Sequence, residues 1–168
     1  MDIIITKGPV DDRIEIRRAD GRLADTRFPK KGPVPHDAVH FIVEDVLGLR
    51  RGFWGLIAAG DDPDHIQDMA KAAGHASAKR AGIPDPAIID LLQAERLVEA
   101  AEAALWSGGT DADGMRHLAE AGWAASHVPA LALSDADLDS ILTRLVALRD
   151  EWVPAPPGYQ LHLRWTVA

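Results

Sequence analysis

The end of the chain constrains the fold more than any other stretch. In "YQLHLRWTV" (residues 159–167), Tyr159, Leu161, Leu163, Trp165 and Val167 alternate with Gln160, His162, Arg164 and Thr166. Successive side chains of a strand point to opposite faces, so this pattern predicts a half-buried strand with one apolar face. Such a strand needs hydrogen-bonded neighbours, and the other strand patterns sit at the opposite end of the chain. "DIIIT" (2–6) is short and β-branched, and "RIEIR" (13–17) alternates. "LADTRF" (23–28) follows the turn signal "ADGR" (19–22), which predicts a hairpin. The two ends of the chain are therefore expected to pair in one antiparallel sheet.

The texture changes to helix from Pro35. "PHDAVHFIVEDVL" comes first, then "GFWGLIAAG", a short apolar segment closed by Gly60. "DDPDHIQDMAKAAGHASAKRAG" opens with Asp62 as a cap and Pro63 at the first helical position, and stops at Gly82. Asp85-Pro86 repeats that start signal before "AIIDLLQAERLVEAAEAALW". "DADGMRHLAEAGWAASH" is stopped by Pro129. Ser134 with Asp137 forms a capping-box pattern ahead of "DADLDSILTRLVALRDEW", and "PAPPG" breaks the chain before the last strand. The expected architecture is α+β: a small antiparallel sheet from the N-terminal strands and the C-terminal strand, packed on a mostly helical middle. With 168 residues and no internal repeat, residues 1–168 are expected to form a single domain.

Composition narrows the function classes. There is no cysteine, which excludes a disulfide framework, a thiolate nucleophile and a Cys-type zinc site. The acidic, short start "MDIIITK" is unlike a signal peptide, and no apolar run reaches the ~20 residues of a membrane span. A cytoplasmic protein without a membrane partner is the expectation. The net charge of −8 disfavours a nucleic-acid partner. The basic residues gather in residues 1–51, where ten Lys/Arg are interleaved with nine Asp/Glu. That interleaving reads as a solvated sheet face.

One motif carries chemistry. "HDAVH", His36 to His40, has the histidine spacing of the zinc-protease pattern H-E-x-x-H, with Asp37 in place of the glutamate, and Glu44 follows one turn later. At 100° per residue His36, His40 and Glu44 share one helical face, so the three form a candidate metal-ligand set, with Asp37 as candidate catalytic base and a divalent metal such as zinc as candidate cofactor. The plainer account takes precedence. Pro35 suits the first helical position, and an Asp37 carboxylate in the first turn meets free backbone N–H groups and the positive helix end. Val39, Ile42, Val43, Val46 and Leu47 are expected to face the core. Phe41 points away from that arc and calls for cover from "GFWG" or from a second chain.

Other clusters are weaker. Glu95, Glu99 and Glu102 line one face of the longest helix and read as a solvated stripe. Asp113, His117 and Glu120 share a face but form H-x-x-E once, not the paired E-x-x-H of a di-metal bundle. Lone His65, His75 and His127 carry no signal. The five tryptophans (Trp54, Trp106, Trp123, Trp152 and Trp165) read first as core. Trp54, Phe41 and His162 are the candidate lining of a small-molecule pocket.

The strings "GPVPHDAVHFIVEDVLGLRRGFWGLIAAG" and "GYQLHLRW" resemble a set of small uncharacterised bacterial proteins that share a "PHD-x-x-H-x-x-V-E … GFWG" core. The resemblance covers about a quarter of the chain and implies no activity. Three function classes follow. The favoured one is a non-catalytic binding or assembly protein, with a homodimer among its forms. The alternatives are a metal-binding protein or metal-dependent hydrolase built on His36 and His40, and a small-molecule pocket lined by the histidine stripe and Trp54.

Overall fold

The computed structural model describes residues 1–18, 20–30, 32–66, 68–69 and 84–167. Strands β1 (Asp2–Thr6), β2 (Asp11–Arg17) and β3 (Leu23–Pro29) lead into helices α1 (His36–Leu47) and α2 (Phe53–Ala59). A 3-10 turn, Pro86–Ile88, opens α3 (Ile89–Trp106); α4 (Ala112–Ala125), α5 (Asp135–Trp152) and strand β4 (Gln160–Arg164) follow. Residues 63–66 are helical, with the Asp62 carboxylate accepting from the Asp64 N–H. Most of the helix predicted to run on to Gly82, His75 included, lies outside the described residues.

The four strands form one antiparallel sheet in the order β3-β2-β1-β4, so the two ends of the chain do pair. Ile3 faces Ile16 on one side and Leu163 on the other, and Ile5 faces Ile14 and Leu161. These cross-strand apolar pairs lie on the face turned to the helices. The hairpin between β2 and β3 turns through Gly21, whose φ of +81° is the left-handed conformation that glycine adopts without strain. At the same end of the strands, the Met1 amino group donates to the Trp165 carbonyl at 3.0 Å. Lys7 Nζ donates at 2.7 Å to the Trp152 and Ala155 carbonyls, which ties β1 to the end of α5. At the start of α5, Ser134 and Asp137 form the reciprocal cap expected of them.

The helices cover the inner face of the sheet, and the buried apolar residues join in one cluster. α1 packs against both α3 and α5. Every residue from Ala38 to Glu44 is buried, so α1 is enclosed on all sides rather than half-wet. This corrects the expectation for Phe41. It turns toward the sheet, meeting the Trp165 ring edge-on at 5.9 Å, with the Arg144 guanidinium 6.0 Å from its ring centre. Its cover comes from the C-terminal segment and α5 of the same chain, so Phe41 does not require a second subunit. Among the described residues no helix is long and apolar enough to cross a membrane.

Candidate metal centre

Two neighbouring helices build the polar seam of the protein. α1 starts at once after Pro35, whose carbonyl accepts from the Ala38 and Val39 amides at 3.0 and 3.2 Å. That start fixes His36 in the first turn, His40 one turn on and Glu44 a turn further. α3 lies alongside and presents Glu95, Glu99 and Glu102, also one turn apart. The two rows interlock. His36 Nδ1 lies 2.9 Å from Glu102 Oε1, and His40 Nδ1 lies 2.9 Å from Glu44 Oε1. The other nitrogen of each ring faces a single carboxylate: His40 Nε2 is 3.0 Å from Glu95 Oε2, and His36 Nε2 is 3.6 Å from Glu95 Oε1. The two rings meet edge to face at 4.8 Å, and Phe53 flanks His40 at 5.7 Å.

Glu44 also explains "GFWG". Its Oε1 and Oε2 accept at 2.9 Å from the backbone N–H groups of Phe53 and Trp54, the first two of α2. The N-cap of α2 is Gly52, which has no side chain to serve those donors, so a carboxylate from α1 caps α2. A Cβ on residue 52 would stand 2.5 Å from Glu44 Cδ, so only glycine leaves room for this carboxylate. The Trp54 indole closes the link by donating to the Asp37 carbonyl at 2.8 Å.

The protons follow from the partners. An ionised carboxylate can only accept, so each ring nitrogen facing one carries a hydrogen. Burial pulls the His40 pKa down, but Glu44 and Glu95 more than reverse this and push it up to about 10. His36 follows the same logic: burial lowers it, Glu102 and Glu95 raise it, and the net shift is upward. Burial would raise the Glu95 carboxyl, but the hydrogen bonds from His36 and His40 hold it well below the usual carboxylate range. Burial also raises Glu99 above its ordinary value.

The same geometry suits a cation. His36, His40 and Glu95 each offer one ligand atom, and these atoms lie within 4.8 Å of one another. Zinc–ligand bonds of ~2.0–2.1 Å place tetrahedral ligand atoms about 3.3 Å apart, so the three groups would draw closer together around an ion. Glu44 and Glu102 each hold an Nδ1 and leave Nε2 for the ion, the carboxylate–histidine–metal relay of metalloenzymes. An ion would displace the two Nε2 protons, which exchanges two positive charges for two.

The residues named from sequence are thus partly assembled. His36 and His40 converge on one point. Glu44 lies on the same line but serves the far nitrogen of His40 and the cap of α2. Asp37 is half-buried at the start of α1, and its carbonyl holds Trp54. Trp54 is fully buried, Phe41 packs under the sheet, and His162 is exposed on the sheet's opposite face, so these three do not line one pocket. The reading of Glu95 and Glu102 as solvated is overturned: their side chains are 20% and 17% exposed and bonded to the histidines, while Glu99 is 49% exposed and bonded to Arg96. The missed signal was the match of two one-turn spacings, histidines on one helix and glutamates on another. Asp113, His117 and Glu120 are all exposed, with His117 Nδ1 donating to the Asp113 carbonyl. No protein-family model matches the sequence, and neither a curated protein nor a solved structure matches it.

Proposed function

We propose that the protein binds one divalent metal ion through His36 Nε2, His40 Nε2 and Glu95. The observation that carries this reading is the orientation of the two rings. Both turn Nδ1 to a dedicated carboxylate and Nε2 to the same third carboxylate, and they do so from one helix against another. Three protein ligands leave at least one position for water, the composition of a catalytic rather than a structural zinc site. Bound there, the ion would act as a Lewis acid and lower the pKa of its water. Glu44 and Glu102 would orient the imidazoles, and Phe53 would shield His40.

A second reading keeps the protein metal-free and gives the seam a purely structural role. All four ring nitrogens already face carboxylates, so two imidazolium ions can lock α1 to α3. Equilibrium dialysis of untagged protein against zinc separates the two. Metal binding predicts about one ion per chain in the wild type and none in the His36→Ala, His40→Ala double variant. Wild-type protein that retains no zinc leaves the structural reading.

A further inference from the structure

We infer that the open positions of this centre accept an uncharged ligand and disfavour anions, so that its substrate class is an uncharged metal-coordinating compound, not a phosphate or a free carboxylate. The inference rests on the metal reading above and adds the direction of approach and the charge met there. The Glu44 end of the seam is closed: the side chains of His40 and Glu44 are 4% and 0% exposed. Solvent reaches the other end, where His36, Glu102 and Glu99 are partly exposed. A ligand approaching from that end meets Glu102 and Glu99.

The charges at that end oppose an anion. A bound dication is met by Glu95, Glu44, Glu102 and Glu99. Among the described residues Arg96 is the cation paired with this group, and its Nη1 is already 2.6 Å from Glu99. Among the described residues, two charges from the ion and one from Arg96 against four carboxylates leave these groups negative by one. A cleft lined by one sign of charge excludes ligands of that sign. One turn beyond Glu102 on the same helical face stands Trp106, 61% exposed, beside a cavity of about 420 Å³ lined by Pro33, Leu105, Trp106, Gly108 and Arg149. Its cation, Arg149, is paired with Asp150, so this neighbouring surface suits the apolar body of a neutral compound better than an anionic tail.

The test uses cobalt in place of zinc, with the visible spectrum as readout, and the anion azide and neutral imidazole as probes at pH about 8. Removing one charge at ~8 Å changes anion binding by roughly thirtyfold at an effective dielectric of ~20 without salt and by roughly fivefold at ~0.1 M salt, so about tenfold at low ionic strength. Glu99→Gln is therefore expected to tighten azide binding about tenfold and to leave imidazole binding within about twofold. Equal azide affinity in wild type and variant overturns the inference, as does an equal tightening of azide and imidazole. A protein that gives no cobalt spectrum fails at the metal reading itself and takes the inference with it, so the two failures are distinct.

Discussion

Two rows of charge run through this molecule, and they behave differently. On the outer face of the sheet, Arg13 bonds Asp25 at 3.0 Å and meets Glu15 at 3.3 Å, with all three side chains well exposed. In the α1–α3 seam, His36, His40, Glu44, Glu95 and Glu102 are largely removed from solvent and depend on one another. Water replaces a lost partner on the sheet face, but nothing replaces one at the closed, Glu44 end of the seam. Exposed ion pairs therefore contribute little to stability, while a buried charge left without its partner is strongly destabilising.

The largest expected effect of a single substitution is at Glu44. Glu44→Ala removes the acceptor of His40 and of two α2 amides at once and should cost about 3–5 kcal/mol in the unfolding of metal-free protein. Glu102→Ala removes one partner from a site that water can reach, and about 1–3 kcal/mol is expected. Urea denaturation of both variants ranks them, and a Glu102 loss equal to the Glu44 loss would contradict a seam closed at one end.

The seam should also set the pH dependence of the metal-free protein. His36 and His40 hold their protons more tightly folded than unfolded. Their contribution is complete below the unfolded value of about 6.5 and is lost as pH rises, toward about 10 for His40. Glu95 has the opposite sign: its contribution is present above its unfolded value of about 4.5 and is lost as pH falls. Stability with chelator present should thus be greatest between these two unfolded values and decline in alkali, whereas zinc, which needs neutral imidazoles, should remove the alkaline decline. A chelated protein equally stable at pH about 6 and about 9 would break this account. The smallest effect belongs to the sheet face, where Asp25→Ala should leave the thermal midpoint within experimental scatter.

Much of the fold was legible because its signals are local. The alternation of residues 159–167, the D-G hairpin, the Ser134–Asp137 box and the Gly60 stop each act over a few residues. The histidine pair was legible for the same reason. Its partner Glu95 was not, because a stripe of glutamates on an amphipathic helix has the same pattern whether it faces water or a row of histidines. Phe41 failed on a related ground: helical periodicity distinguishes faces, but it does not reveal that a helix is covered on all of them. Glu44 was placed on the right line with the wrong partner, since its capping role depends on Gly52 meeting it across a turn.

The central claim is that both imidazoles and Glu95 meet one ion. Anomalous-difference density from crystals of zinc-loaded protein tests it most directly. The account predicts one peak ~2.0–2.2 Å from His36 Nε2, His40 Nε2 and a Glu95 carboxylate oxygen, with Glu44 and Glu102 still bonded to the Nδ1 atoms. Zinc-soaked crystals with no peak there, and His40 Nε2 still hydrogen-bonded to Glu95, would contradict it.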